Sequence, residues 1–281
     1  MSVEAILLGS AQDGGLPQAG CYCNQCASAH TDPTLRRRVA CLGLVDRATH
    51  QSWLIDATPD LPEQLGVVHG LAPGCPLAGI ALTHAHVGHY TGLIHLGYEA
   101  WNTQGLPVYV SPIMARFLRE NGPWSQLVSL GNIELHTLDL GQESRLSPNL
   151  HLTPVSVPHR AEFSDTLAFV VRGPARRLFY CPDIDGWDGW EHDLRGFVAG
   201  MDVALLDGTF FSPDELAERD LSSIPHALVT DTAKWLAGVN CDVRLIHLNH
   251  SNPLHRPGPE RAWLAAQGIG VGVFGARWSL D

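Results

Sequence analysis

Three histidines lie within six residues, at positions 84, 86 and 89 of the segment Thr-His-Ala-His-Val-Gly-His. In an extended segment, side chains two residues apart point the same way, so His84 and His86 can present two imidazoles to one cation. His89 opens a helix-like stretch and can reach a neighbouring position. Imidazole is the commonest metal ligand in proteins, and a catalytic zinc site takes three protein ligands and keeps one position open. The spacing therefore predicts a metal site built on this segment.

Further ligands are expected where other strand-like runs end. His159, Asp183 and His247 each follow a short apolar run, a place where a rigid backbone meets a free loop. A carboxylate such as Asp183 can bridge two cations, and a bridged pair activates water and neutralises a developing negative charge. Each residue alone is weak evidence, because an aspartate after a strand is more often a turn residue. As an ordered set, the three predict a shared metal centre.

A second group of metal-binding residue types lies near the start of the chain. Cys21, Cys23 and Cys26 fall within six residues of one another. The first residues do not have the pattern of a secretory signal, so we expect a reducing compartment. Under reducing conditions such cysteines are more often metal ligands than disulfides. With His250, three residues after His247, they would complete a closed tetrahedral zinc site. A redox or persulfide role for the three thiols is the alternative.

The predicted elements that position these residues are short strands with helices at intervals. Apolar or β-branched runs, from residues 3–8 to residues 271–274, recur between turn residues. Helical periodicity is found in residues 61–68, 91–101, 113–120, 187–198, 225–237 and 259–267. This arrangement favours an α/β fold of two packed sheets with helices outside. Neither a repeat nor a linker is evident, so residues 1–281 are expected to form one domain with a cysteine-rich zinc loop at about residues 9–30.

Composition excludes several classes of protein and partner. The chain of 281 residues carries 29 acidic and 18 basic side chains, giving a net charge of -11, and Lys234 is its single lysine. Nucleic-acid affinity depends on clustered lysine and arginine, so a nucleic-acid partner is not expected. No apolar run of about 18 residues or basic leader is present, which predicts a cytoplasmic protein with no membrane partner. The expected partner is a small-molecule substrate, and a homodimer is one option for its assembly.

The histidine-rich elements together resemble the metallo-β-lactamase superfamily. The residues that carry this resemblance are His84-Ala85-His86-Val87-Gly88-His89, followed in order by His159, Asp183 and His247. The resemblance covers nearly the whole chain and implies a four-layer αββα sandwich with the metal site at one edge of the two sheets.

Two narrower families share more of this sequence. Gly14, Gly15 and the cysteine segment are similar to the opening of the pyrroloquinoline quinone (PQQ) biosynthesis protein B family. The cysteine segment is also similar to that of the cyclic phosphodiesterase of phosphonate breakdown, which implies a structural zinc on Cys21, Cys23, Cys26 and His250.

The resemblance also identifies one departure from the superfamily motif. Gly88 stands where the superfamily usually has an aspartate that binds the second metal. We therefore expect the second position to keep only His89, His247 and the shared Asp183. A second cation should then bind there more weakly or not at all.

These observations predict a metal-dependent hydrolase in which a metal-bound hydroxide attacks a small phosphodiester or ester-like substrate. His84, His86 and His159 would hold the first of one or two divalent ions (Zn, Mn or Fe). The predicted catalytic residues are Asp183 and Asp185, which orient the nucleophile, and His226, which with Asp207 forms a proton relay. One alternative is a non-haem iron oxidoreductase similar to the PQQ-biosynthesis hydroxylase. The other is a non-catalytic protein that binds a metal or a metabolite.

Overall fold

Two seven-stranded sheets form the centre of the computed structural model, which describes residues 2–216 and 224–281. The strands are β1 (Val3–Gly9), β2 (Cys41–Asp46), β3 (Gln51–Ile55), β4 (Leu77–Ala81), β5 (Leu106–Val110), β6 (Ile133–Thr137), β7 (Ser144–Arg145), β8 (His151–Ser156), β9 (Leu167–Arg172), β10 (Arg177–Cys181), β11 (Val203–Asp207), β12 (Asp242–Ile246), β13 (Gly270–Val271) and β14 (Arg277–Ser279). The first sheet has the order β14-β1-β2-β3-β4-β5-β6, and the second has the order β13-β12-β11-β10-β9-β8-β7.

The helices lie in the connections between strands. They are α1 (Asn24–Thr31), α2 (Leu61–Leu71), α3 (Val87–Tyr90), α4 (Pro112–Glu120), α5 (Trp124–Ser129), α6 (Leu194–Ala199), α7 (Val229–Leu236) and α8 (Pro259–Ala266). Shorter 3₁₀ turns cover Pro33–Leu35, Thr91–Leu96, Pro213–Leu216 and Pro253–His255. Within the described residues, no helix has the length and apolar character needed to cross a membrane.

Three apolar clusters define the layers. The cluster between the sheets includes Leu7, Phe169 and Tyr180. A second cluster packs the outer face of the first sheet against α2 and α4, and a third packs the second sheet against α6, α7 and α8. Neighbouring residues of β1 alternate between the first two clusters, as the period of a strand requires. Each large side chain fully buried in these layers contributes about 1.5–3 kcal/mol. The predicted αββα order is confirmed.

The direction of the strands sets where the functional loops emerge. In the first sheet, β1 and β3 are both antiparallel to β2, and β3 and β4 are parallel, so β1, β3 and β4 run the same way. In the second sheet, β10, β11 and β12 are parallel, and β8 runs with them because both β8 and β10 are antiparallel to β9. The carboxyl ends of these strands therefore gather at one end of each sheet.

Three predicted helices are wrong over part of their length, and the one predicted over residues 225–237 begins only at Val229. Residues 91–101 form the 3₁₀ turn Thr91–Leu96 and then irregular turns, because the chain reverses at Gly97. Residues 187–198 are helical only from Leu194, where Asp193 accepts a hydrogen bond from the Gly196 backbone and begins α6. The preceding indoles of Trp187 and Trp190 pack into the core from a loop, and this produced the misleading helical spacing.

Candidate metal centre

The loops that follow four strands bring the predicted ligands to one place. His84 and His86 follow β4, and His89 lies on the short helix α3 that comes next. The loops after β8, β10 and β12 carry the other three ligands: His159, Asp183 and His247. The loops after β1 and β3 add Asp13 and Asp56, which the sequence analysis did not select. We call the set Asp13, His84, His86, His89, His159, Asp183 and His247 the strand-end centre.

Four atoms of this centre surround one point. His86 Nδ1 lies 2.9 Å from His84 Nε2 and 3.1 Å from His159 Nε2. Asp183 Oδ2 lies 3.3 Å from His84 Nε2 and 3.2 Å from His159 Nε2. Atoms that bind a zinc ion tetrahedrally at about 2.0–2.1 Å are about 3.3 Å apart. These four side chains therefore have the spacing needed to hold one ion.

A second group of atoms lies on the other side of Asp183. His89 Nε2 and His247 Nε2 are each 3.8 Å from Asp183 Oδ2. Asp13 Oδ1 lies 3.2 Å from His89 Nε2 and 3.4 Å from His247 Nε2. A fourth potential donor lies beside the three expected at the second position, because the loop after β1 brings a carboxylate that is distant in sequence from the histidine motif. Asp13 lies in the loop that follows β1, and this was the only signal for it in the sequence.

Each imidazole of the centre is held by an acceptor on the nitrogen that faces away from the shared point. Such partners fix the orientation and tautomer of metal-binding histidines. The five contacts are Thr83 Oγ1 to His84 Nδ1 at 2.9 Å, Glu162 Oε2 to His86 Nε2 at 3.0 Å, Asp56 Oδ2 to His89 Nδ1 at 2.8 Å, Asp185 Oδ1 to His159 Nδ1 at 2.7 Å, and Thr209 Oγ1 to His247 Nδ1 at 2.9 Å.

The threonine hydroxyls determine two of the tautomers. Thr83 Oγ1 donates to Asp56 Oδ1 at 2.9 Å, so it accepts from Nδ1 of His84. Thr209 Oγ1 donates in the same way to Asp207 Oδ1 at 2.7 Å and accepts from His247. In both imidazoles the proton is therefore on Nδ1, and the Nε2 lone pair faces the centre. This is the form that binds a metal.

Two of the four non-glycine residues with positive φ in the described part of the chain lie at the same site. Asp56 has a φ of 74° and His247 has a φ of 58°, in the left-handed region that side chains other than glycine rarely adopt. Each such residue costs about 1–3 kcal/mol, which the surrounding structure must offset. Here the offsetting contacts are hydrogen bonds to the two side chains themselves. Strain at two residues that directly form or hold the centre is typical of a functional site.

The electrostatics of the centre fit a bound cation. Within residues 2–216 and 224–281, the ion pairs of Asp13, Asp183 and Asp207 are all with histidines. His89 Nε2 and Asp183 Oδ1 are buried and have no hydrogen-bond partner in this described part of the chain. Unpaired buried polar atoms are costly, and a metal ion would satisfy them. The donor set therefore fits divalent cations.

The carboxylates are ionised despite their burial. Burial opposes the charge of Asp183, but the adjacent His247 and His226 hold its pKa well below the usual range. Burial likewise opposes the charge of Asp13, and His247 and His89 lower its pKa. Burial, together with the neighbouring imidazoles of His89 and His86, lowers the pKa of His84 against the effect of Asp183, so His84 is kept neutral. Burial opposes the charge of His89, but Asp56 and Asp13 raise its pKa. Anionic oxygens and neutral imidazoles are the forms that bind metals, so a cation beside His89 would replace a proton.

The structure also places the other two predicted catalytic residues. Asp185 contacts the outer nitrogen of His159, so its carboxylate orients a ligand. His226 Nδ1 lies 2.9 Å from Asp207 Oδ2 and 3.3 Å from Asp183 Oδ1. Burial opposes the charge of His226, but Asp207 and Asp183 outweigh it and raise the pKa of His226 to about 9. The predicted pairing of Asp207 with His226 is thus present beside the centre.

Cys21, Cys23, Cys26 and His250 form a separate group, which we call the cysteine cluster. His250 Nδ1 lies 3.7 Å from the sulfur of Cys21 and 3.6 Å from those of Cys23 and Cys26. These separations suit four ligands on one tetrahedral zinc ion. Helix α1 begins directly after Cys23, and its Gln25 amide donates to the Ser251 backbone oxygen at 2.9 Å. This bond holds the cysteine loop against the segment that carries His250.

The chain is similar in sequence to known proteins. The sequence model of the beta-lactamase superfamily domain matches residues 52–250. Coenzyme PQQ synthesis protein B of Methylorubrum populi is 26% identical over 308 residues, which cover 99% of this chain and 100% of the relative.

Solved structures share the fold over the whole chain. Zinc-bound PqqB from Methylobacterium extorquens has a TM-score of 0.85 at 23% identity and covers 99% of this chain and 100% of its own. A diphosphatase from the PhnP family has a TM-score of 0.71 at 20% identity, with coverage of 99% and 98%. At these identities the likeness bears on the fold alone, and it confirms the fold expected from the sequence.

Proposed function

Because the chain belongs to the metallo-β-lactamase superfamily, we propose that it is a metal-dependent hydrolase of a small phosphodiester or ester-like substrate. The observation that carries this proposal is the position of Asp183. One carboxylate oxygen, Oδ2, lies 3.2 Å from His159 Nε2 on one side and 3.8 Å from His89 and His247 Nε2 on the other. An oxygen between two sets of imidazoles is the arrangement of a bridged two-ion hydrolytic site.

Each side of the centre has a distinct set of donors in this proposal. His84, His86 and His159 would hold one divalent ion with Asp183. His89 and His247 would hold another with the same carboxylate. A divalent ion at such a site supplies Lewis acidity, which ionises water near neutral pH and stabilises a developing oxyanion.

The chain's own side chains would orient the reacting groups. Asp185 and Asp56 hold the imidazoles of His159 and His89 through their outer nitrogens, at 2.7 and 2.8 Å. They are positioning residues, because they act through the ligands. His226 is held through Nδ1 by Asp207, at 2.9 Å, which leaves its Nε2 to give a proton to the leaving oxygen.

The surroundings of His86 favour a small substrate with an apolar part. His86 is the most accessible imidazole of its donor set, with 13% of its side chain exposed. Val87, next in sequence, and Phe163, next to its partner Glu162, are each 59% exposed. Arg160 lies 3.4 Å from Glu162 and could also approach an anionic substrate. The aromatic residues Trp187, Trp190 and Phe210 are buried and belong to the core.

We also propose that the cysteine cluster holds a structural zinc ion. Four donors converge on one point, and burial raises the pKa of the Cys26 thiol to about 12. A raised pKa favours the protonated thiol, whereas a bound zinc ion would favour the thiolate.

A substrate panel tests the hydrolytic proposal. Metal-free protein would be reloaded with zinc, manganese or iron(II) and assayed on bis(p-nitrophenyl) phosphate, a lactone and a thioester. Metal-dependent cleavage of the phosphodiester or an ester is expected, and it should be lost in His84→Ala. His136→Ala, which removes an exposed imidazole on β6, is the matched control and should retain wild-type turnover. Equal turnover in wild type and His84→Ala, or no cleavage with any metal, would contradict the proposal.

Oxygen-dependent hydroxylation is the second candidate. The observation that favours it is the relative named coenzyme PQQ synthesis protein B, which matches over 99% of this chain. Histidines with carboxylates also suit non-haem iron. Oxygen consumption by the iron(II)-loaded protein with a tyrosine-containing peptide, and no cleavage in the hydrolysis panel, would favour this candidate over hydrolysis.

A further inference from the structure

Asp13 and Gly88 face each other at the second position, and each limits the space of the other. A Cβ built on Gly88 would lie 2.3 Å from Asp13 Oδ1 and 2.8 Å from Asp13 Cα. Non-bonded atoms in a packed interior do not approach this closely, so a side chain at position 88 would displace the Asp13 loop. Gly88 is not among the glycines with positive φ, so its backbone does not require glycine. It is therefore Asp13, and not the backbone conformation, that excludes a side chain at position 88.

The backbone fixes Asp13 beside His247. Leu248, which follows that histidine, donates to the Ser10 oxygen at 2.9 Å, and Gln12 donates to the Leu248 oxygen at 3.0 Å. On its other side the loop pairs with the segment that leads into β2. The carboxylate is therefore presented from a loop that is paired on both sides, and only 17% of the side chain is exposed.

We propose that Asp13 replaces the carboxylate that the superfamily motif places at position 88, and that it completes a second cation site with His89, His247 and Asp183. Three geometric facts support this. Asp13 Oδ1 is nearly equidistant from His89 Nε2 and His247 Nε2, at 3.2 and 3.4 Å. Asp183 Oδ2 closes the group at 3.8 Å from each imidazole. His89 Nε2 is buried without a hydrogen-bond partner in the described residues, so Asp13 does not satisfy it as a simple acceptor.

This inference rests on the proposed function for the presence of metal in the centre, and it corrects the number of donors. With Asp13, the second position has four donors from separate strand ends and no longer lacks the carboxylate. Two ions should then bind at the strand-end centre. Gly88 becomes a requirement of the site, because a larger residue would displace one of its ligands.

Binding of manganese tests the role of Asp13 without reference to turnover. Manganese prefers oxygen and imidazole over thiolate, so protein whose cysteine cluster is filled with zinc would be titrated with Mn²⁺ alone. Equilibrium dialysis would give the stoichiometry, and electron paramagnetic resonance would detect spin coupling between neighbouring ions. Wild type should bind two coupled ions, whereas Asp13→Ala should bind the second at least about a hundredfold more weakly and lose the coupling. Asp188→Ala, which removes an exposed carboxylate outside the centre, should match wild type.

A glycine substitution tests the steric half of the proposal. Gly88→Ala removes no donor atom, yet it should weaken the second Mn²⁺ by displacing Asp13. Gly66→Ala in α2, where a Cβ meets nothing within 4 Å, is the control and should bind manganese as wild type does. Wild-type binding of both ions by Gly88→Ala would overturn the steric argument.

The inference and the proposed function can fail separately. Wild-type binding of both ions by Asp13→Ala, or a single bound Mn²⁺ in wild type, would overturn the inference even if the enzyme cleaves phosphodiesters. Two coupled ions that depend on Asp13, in a protein that cleaves none of the substrates, would sustain the inference and refute the hydrolytic function.

Discussion

The cysteine cluster and the strand-end centre differ in how their donors are used. In the cysteine cluster, three sulfurs lie 3.6–3.7 Å from one imidazole nitrogen, and the four donors surround a single position for an ion. In the strand-end centre, one oxygen of Asp183 faces two groups of imidazoles, and His86 is partly accessible. A closed set of ligands is typical of a structural ion, whereas a shared carboxylate with an accessible side is typical of a catalytic one.

The two regions are also mechanically connected. His247 and His250 are three residues apart, and Asp13 lies on the loop that leads to the cysteines. The backbone bonds between this loop and Leu248 join the two segments next to the second position. Binding of an ion by the cysteine cluster should therefore also hold Asp13 and His247 in place, because both residues lie on these segments.

Removal of one imidazole from the strand-end centre should have the largest effect, because it should lower turnover and leave stability nearly unchanged. His86→Ala should lower turnover by at least about a thousandfold, equal to about 4 kcal/mol, because one donor of the first ion is lost. Its Tm should stay close to that of wild type, since the side chain lies at the surface of the centre. Steady-state kinetics and thermal unfolding would be measured together, and retained turnover would contradict the assignment.

Removal of one thiol from the cysteine cluster should mainly lower stability. Cys23→Ser should lose the zinc of the cysteine cluster and lower the free energy of unfolding by about 3 kcal/mol or more. Elemental analysis and denaturant unfolding would be compared with Cys241→Ser, which changes a cysteine outside the cluster. If both variants keep the same zinc content, the cysteine cluster holds no metal.

A positioning residue should give an intermediate effect. Asp56→Asn keeps a residue type that tolerates the φ of 74° but removes the charge beside His89. Metal affinity at the strand-end centre should fall by about 10–100-fold, as expected for a partner that orients a ligand. Calorimetric titration of the metal-free protein would measure this, and unchanged affinity would show that the contact does not support the centre.

The smallest expected effect is a pH-dependent change in stability at Glu215, beside the cysteine cluster. Burial raises the pKa of Glu215 to about 7 from an ordinary value of 4.5, although Ser251 and the Phe211 backbone donate to it. A carboxyl whose pKa is raised in the folded state stabilises the fold at low pH and loses this contribution as pH rises from about 4.5 to 7. Glu215→Gln should therefore gain about 1 kcal/mol relative to wild type between pH 5 and pH 6. Unfolding of both proteins at the two pH values would measure it, and a constant difference would contradict the shifted pKa.

The sequence predicted the layers and most of the centre for identifiable reasons. Runs such as residues 3–8 and 203–206 are short and bounded by turn residues, so their assignment as strands did not depend on tertiary contacts. His84 and His86 are close in sequence, and His159, Asp183 and His247 share a position after strands. These donors meet at one end of the sheets because the strands before them run in the same direction within each sheet.

Other parts of the site depend on tertiary structure. The role proposed for Asp13 depends on its close approach to Gly88, which lies on a loop distant in sequence. Asp56 follows β3 as Asp183 follows β10, but its role depends on contact with His89 and Thr83. The indoles at residues 187 and 190 have helical spacing but pack from a loop, because tertiary packing overrides local periodicity.

Anomalous diffraction from crystals of the zinc-loaded protein would locate each bound ion. One peak is expected among the donor atoms of His84, His86, His159 and Asp183. A second peak is expected among Asp13, His89, His247 and Asp183, and a third within the cysteine cluster. Anomalous density confined to the cysteine cluster, with the strand-end imidazoles bonded only to protein or water, would contradict this expectation.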